Sequence, residues 1–227
     1  MGKSKILKDI ANNEVSLEVA LSRLMIIASD LQDDALYNWA STELNGYSNN
    51  KDLPPYRVFR AGNIVYSGIN GAYQVQNVPL PMSFIPKEFQ KGIHTVYLSE
   101  GVGTLRFFSE SKESKGRDLT SLAGAIYDVS GIQCTSIALR FDSSLFIKAL
   151  DSIRTKLLSI FIELDKRLGN LDDMDVSIEN VNTHDLQQTI SSIIFQDNSI
   201  ELGDKNRVRN SKLFGGGKNN NVNSDRE

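Results

Sequence analysis

Two histidines, one cysteine and a scatter of carboxylates are the residues from which chemistry could be built. Their spacing decides against most of it. A zinc site needs about four close ligands; Cys134, His94 and His184 are isolated from one another and do not supply it. His184-Asp185 has the letters of an HD phosphohydrolase core, without the further His and Asp ligands which that chemistry requires. A nuclease motif common in bacterial defence proteins places Arg four to six residues before His, and neither 88–90 nor 178–180 holds an Arg. Gly215-Gly216-Gly217-Lys218 lacks the first glycine and the Ser/Thr after lysine of a phosphate loop, because Asn219 follows. Gly101-Val102-Gly103-Thr104-Leu105-Arg106 fails as a dinucleotide fingerprint, with Arg106 in place of the last glycine. Asp172, Asp173 and Asp175 read as a solvated acidic loop. Glu163-Leu164-Asp165-Lys166 reads as helix surface, where carboxylates and lysines three residues apart are routine. No catalytic residue, metal site or cofactor is therefore assigned.

The densest group of unusual residues is Trp39, Glu43, Gly46 and Tyr47, followed by Pro54-Pro55-Tyr56-Arg57. It has two readings. In the structural one, the aromatic residues anchor a helix end, the prolines set a turn, and Arg57 pairs with an acid such as Glu43. In the functional one, Trp39, Glu43, Tyr47, Tyr56 and Arg57 form a binding surface.

The elements that position these residues follow from composition and periodicity. The 227 residues are 40% hydrophobic and 23% charged, ordinary for a globular chain able to bury a core without staples. One cysteine allows no internal disulfide and fits a reducing compartment. Residues 1–13 lack the apolar core of a signal peptide, and no apolar run approaches the roughly 20 residues of a membrane span. A cytoplasmic protein without membrane contact is expected. A net charge of −3 does not suit a strongly basic nucleic-acid binder.

Leu17, Leu21, Leu24, Ala28 and Leu31 share one helical face, with Ser16 as N-cap. Asp33 and Asp34 break and restart the chain, and a second stripe runs from Leu36 to Tyr47, with Gly46 as stop. Tyr56 to Tyr66 and Ala72 to Val78 are rich in β-branched and aromatic residues and flank Gly68-Ile69-Asn70-Gly71, which predicts a hairpin. Residues 87–110 fit helix or strand; helix is preferred, although Gly101 and Gly103 each weaken it by roughly 1 kcal/mol. Ser111 to Asp118 reads as a charged loop, Leu119 to Asp128 as a short helix, and Ile132 to Phe141 as a strand. Phe146, Leu150, Ile153, Leu157, Ile160 and Leu164 mark a long helix capped by Asp142 or Ser143 and ended by Gly169. Its repeat suits a coiled-coil seam or, preferably, a core helix. The fold class is α+β: a mainly helical domain over 1–169 with a small antiparallel sheet.

Residues 170–227 form a polar, Asn/Gly-rich extension, expected to be partly disordered or to form short β-arches. Asp197-Asn198-Ser199-Ile200 recurs loosely as Lys205-Asn206-Arg207-Val208. One such unit cannot bury itself, which makes Asn198, Ile200, Asn206 and Val208 candidates for assembly between chains.

Trp39-Ala40-Ser41-Thr42-Glu43-Leu44-Asn45-Gly46-Tyr47, then Leu53-Pro54-Pro55-Tyr56-Arg57, resembles the N-terminal signature of the AbiTii domain. The helices carrying Leu21 to Leu31 and Ile153 to Leu164 fit the same pattern, so the resemblance spans roughly residues 4–168. It implies a bacterial abortive-infection role, in which phage attack triggers growth arrest or death. It brings no catalytic residues with it. The expected function is an anti-phage component that works by binding or oligomerisation. Its partners would be a second copy of the chain or another defence protein, with a phage-derived trigger. The alternative is an enzyme-type toxin, a nuclease or nucleotide-processing enzyme. It would need a pocket gathering two or more of His94, Arg57, Arg106, Arg140 and the Asp172 loop. Weak nucleic-acid binding through Lys205, Arg207, Arg209, Lys212 and Lys218 ranks third.

Overall fold

The computed structural model describes residues 3–111, 114–172 and 182–195. In chain order the elements are α1 (Lys5–Ala11), α2 (Leu17–Asp30), α3 (Asp34–Asn45), β1 (Val58–Arg60), β2 (Asn63–Asn70), β3 (Tyr73–Pro79), α4 (Lys87–Gln90), β4 (Thr95–Tyr97), α5 (Val102–Glu110), β5 (Lys115–Asp118), α6 (Ala123–Ser130), β6 (Gln133–Phe141), α7 (Ser144–Leu168) and α8 (Thr183–Phe195). The expected α+β class is what the chain adopts.

The helical half is built as the stripes dictate. Ser16 Oγ accepts from Val19 N at 3.3 Å and Asp33 Oδ1 from Leu36 N at 3.0 Å, so each cap satisfies one of the donors that a helix start leaves free. Leu21, Leu24, Ala28, Leu36 and Ala40 are fully buried where α2 packs on α3. α7 is the spine, touching α1, α2, α5 and α8. Phe146, Ile153, Leu157, Ile160 and Leu164 of its seam are buried, and Leu150 is partly buried against them, so the repeat serves a core helix. Asp142 caps its start, accepting from Ser144 N at 2.8 Å.

The sheet departs from expectation in four places. Tyr56 to Tyr66 is not one strand. Pro55–Arg57 forms a 3-10 turn, β1 then pairs antiparallel with β4, and Gly62, at φ 92°, redirects the chain into β2. The hairpin turn is not Gly68–Gly71. Asn70 pairs with Tyr73, so the loop is Gly71-Ala72, while Gly68 lies within β2 at a bulge where it crosses close to β6. Residues 87–110 are not one helix, because Thr95–Tyr97 is drawn into pairing with β1, and helix resumes at Val102. The charged segment before Asp118 is not loop throughout, because Lys115–Asp118 pairs with Phe141–Ala138 as an edge strand. The resulting four-stranded sheet runs β3-β2-β6-β5, antiparallel throughout. It buries Ile64, Tyr66, Ile137 and Leu139 on one face.

α8 lies beyond the expected domain boundary at 169. Leu186, Ile190 and Ile194 are buried, and it packs on α7 and α3. The described residues all fall within one compact unit, Met1–Asp197. Asn198, Ile200, Asn206 and Val208 lie outside the described residues.

Gly124 sits in the first turn of α6 with open space where a Cβ would stand. Gly124→Ala is expected to stabilise the fold by about 0.5–1 kcal/mol, by restricting the unfolded chain and favouring helix. Chemical denaturation measures it. A loss of stability would contradict the helical placement.

Candidate functional site: a buried ionic network

Trp39 and Glu43 lie on one face of the last turns of α3, since residues four apart align along a helix, and Tyr47 follows just past the Gly46 stop. That face turns inward. Pro54-Pro55 fixes the turn that brings Tyr56 and Arg57 against it, with Arg57 N bonding back to Pro54 O at 2.9 Å. Glu43 and Arg57 have no exposed area.

The polar groups of the cluster are used within the fold. Glu43 Oε2 accepts from Arg57 Nε at 3.0 Å and Nη2 at 2.5 Å. Glu43 Oε1 accepts from Tyr47 Oη and Tyr56 Oη, both at 2.6 Å. Trp39 Nε1 donates to Tyr56 Oη at 2.9 Å. Arg57 Nη1 donates to the Leu98 carbonyl at 2.8 Å and the Glu100 carbonyl at 2.6 Å. The Arg57 guanidinium also lies 5.1 Å from the centre of the Tyr47 ring. An ion pair this deep is tolerated when its polar atoms find further partners, and here both oxygens of Glu43 and every nitrogen of Arg57 have at least one.

This network is a joint between three segments. α3 and the residue after its Gly46 stop supply Trp39, Glu43 and Tyr47; the Pro-Pro turn supplies Tyr56 and Arg57; the strand-to-helix connection at 98–101 supplies carbonyls. Backbone bonds reinforce it, with Tyr47 N donating to Ser99 O at 2.7 Å and Leu98 N to Arg57 O at 3.0 Å. Gly46 closes α3 at φ 98°, where a Cβ would meet Ser99 O at 2.8 Å. The carbonyl acceptors and Lys156, whose Nζ lies 5.2 Å from the Tyr56 ring centre and donates to Ile193 O at 2.8 Å, were not found from sequence. Their one signal was the off-seam position of Lys156 on its helix.

Burial, and then the Glu43 charge, push the pKa values of Tyr47 and Tyr56 well above the usual phenol value. Both therefore remain donors to Glu43. The unfolded chain releases these protons first, near pH 10. Their stabilising contribution is complete below that pH and is lost as pH rises further. Above pH 10 the wild type is expected to lose stability more steeply than Tyr56→Phe, by about 1.4 kcal/mol per pH unit. Urea denaturation across pH 9–11 (roughly the window set by the phenol value) reads the slopes; equal slopes would refute the burial of Tyr56.

The surface reading of this cluster is accordingly reduced. Side chains without exposed area touch no partner in this conformation, and only the partly exposed edges of Tyr47 and Tyr56 remain accessible to any extent.

The other candidates are dispersed. His94 Nδ1 lies 3.1 Å from Gly62 O, and His184 is exposed on the outer side of α8 beside Gln188. Asp172 Oδ1 accepts from Ile6 N at 3.2 Å; Asp173 and Asp175 lie outside the described residues, as does Gly215–Lys218. Glu163 pairs with Lys166 and Arg167, as a helix surface does, whereas Asp165 binds Ser4 and Lys3. Cys134 is partly buried on β6, and burial raises its thiol. Arg106 pairs with Glu18 at 2.5 Å, and Arg140 holds Asn77 Oδ1 at 2.9 Å. No described pocket gathers two of His94, Arg57, Arg106, Arg140 and Asp172. Among the described residues no three His, Cys, Asp or Glu are grouped to hold a metal ion. No helix among them is long and apolar enough to cross a membrane.

These observations define a small α+β domain whose segments are joined by a Trp-Glu-Tyr / Pro-Pro-Tyr-Arg network. The AbiTii family model matches residues 4–189, and the chain belongs to that family, one of bacterial abortive infection against phage. The match includes the first half of α8, in keeping with its packing on α7. No curated protein and no solved structure matches the chain.

Proposed function

We propose that the chain serves abortive-infection defence in the cytoplasm by binding, to copies of itself or to a separate defence protein on a phage-derived trigger, rather than by chemistry at the Trp39–Arg57 cluster. The observation that supports this is the use of that cluster. Both oxygens of Glu43 and all three nitrogens of Arg57 are consumed by bonds inside the fold. A group acting on substrate needs a free valence directed at it; these residues instead hold the domain in shape so that its surfaces can be read. β3 offers one such surface. It is an edge strand of seven residues, with Tyr73 75% exposed at its start, and edge strands accept added strands from other chains.

The test is the mass of the full-length chain in solution, by size-exclusion chromatography with light scattering, beside a chain ending at 195. That end point preserves α8, which a cut at 170 would remove. A defined oligomer that is lost in the shorter chain supports assembly through the extension. An oligomer retained in both moves assembly to the domain. Monomers in both remove self-association, and the reading then stands only on capture of a separate defence protein during phage infection.

A further inference from the structure

A cleft of about 380 Å³ opens between the α1–α2 turn, α5 and α7, away from the buried network. Its apolar lining is Val15, Leu17, Val102, Ile147 and Leu150. Its charged lining is Glu14, Glu18, Arg106, Asp151 and Arg154. The volume lies within the range of small-molecule sites.

Two of these charged groups are incompletely satisfied. Among the described residues Arg154, which is half-buried, has no hydrogen-bond or ion-pair partner, and its Nη1 is closed off from solvent. Glu18 spends Oε1 on Arg106, while its Oε2 is likewise closed off and unpartnered. Such groups are few in native proteins, because an unmet buried charge is costly. Here two of opposite sign line one cavity. Asp151, one turn before Arg154 on α7, also makes no side-chain bond and is exposed.

We propose that this cleft binds a small zwitterion with an apolar body, the chemistry of a free aliphatic α-amino acid. The carboxylate meets Arg154, the ammonium meets the exposed Asp151, and the aliphatic side chain lies on Leu17, Ile147 and Leu150. The long Arg154 side chain turns toward the ligand at little cost, since no bond holds it where it is. Three carboxylates against two guanidiniums make the lining net negative, which repels nucleotides and other polyanions. This inference is independent of the binding role proposed above.

Calorimetric titration of the full-length protein with L-leucine tests it. Leucine is expected to bind; leucinamide, without the carboxylate, and 4-methylpentanoate, without the ammonium, are expected to bind at least about tenfold more weakly. Arg154→Met should weaken leucine by about ten- to a hundredfold, the loss of one charge-assisted contact, while Arg154→Lys keeps part of the affinity. The thermal midpoint of Arg154→Met should not fall, because the guanidinium makes no bond in the free protein. Absence of leucine binding would overturn the proposal. So would binding of ATP or inorganic phosphate in its place, or a marked fall in the midpoint of Arg154→Met, which would mean that the guanidinium already serves the fold.

Discussion

Arg57→Met is expected to lower the free energy of unfolding by about 3–5 kcal/mol, because it strands the fully buried Glu43 carboxylate without its paired cation. That is a large share of the 5–15 kcal/mol typical of a domain. Two carbonyls, Leu98 and Glu100, lose their donor as well. Tyr47 and Tyr56 continue to donate to Glu43 and offset part of the loss. The double variant Glu43→Leu with Arg57→Met removes both charges together. It is expected to cost less than the sum of the single variants, since neither leaves its partner's charge uncompensated. Urea denaturation of the four proteins gives the coupling. Additive losses, or an Arg57→Met cost below about 1 kcal/mol, would show that the pair does not join these segments.

Gly101→Ala is expected to cost about 2–3 kcal/mol by forcing α3 and α5 apart. A Cβ there would stand 2.3 Å from Leu44 O and 3.0 Å from Leu44 C. The requirement comes from contact alone. Gly101 has φ −67° and ψ 161°, angles that any residue adopts. Those neighbours are backbone, which cannot swing aside as a side chain does. Gly46 meets the same connection from the other side, bridging to Glu100. The two glycines therefore set the approach of the α3 end to the α5 start, and the Arg57 carbonyl contacts depend on that distance. Denaturation of Gly101→Ala beside Gly124→Ala gives opposite signs if this holds; matching gains would show that the approach is looser than the contacts imply.

The helices were legible because their information is local. A stripe, a cap at Ser16 or Asp33 and a stop at Gly46 or Gly169 lie within a few residues of what they specify. β5 shows the opposite case. Lys-Gly-Arg-Asp has no strand preference of its own, and the segment is a strand because β6 offers it an edge. β1 and β4, three residues each, exist by pairing with each other. Gly68 read as a turn because the sequence does not reveal that β6 crosses above it. In the site, the residues and even the Glu43–Arg57 pairing could be read from spacing. The direction could not. A face bearing Trp, Glu and Tyr suits either solvent or core, and burial is decided by what packs over it. The cleft at Arg154 was invisible for a related reason: its lining comes from three stretches far apart in the chain, and an unpaired arginine looks like any other in a list of letters.

One contact has a consequence in time. Ser4 N donates to Asp165 Oδ1 at 3.0 Å, Leu171 N donates to Ser4 Oγ at 3.0 Å, and Ile6, Leu7 and Ile10 of α1 are buried where α1 meets α7. The partners are separated by 161 residues or more. At the usual pace of translation the ribosome needs on the order of ten to thirty seconds to cover that distance. Throughout that interval the greasy side of α1 has been synthesised and its seat has not. The nascent chain thus carries an open apolar segment until its closing helix emerges, a period in which chaperones, or neighbouring nascent copies, have first access to it.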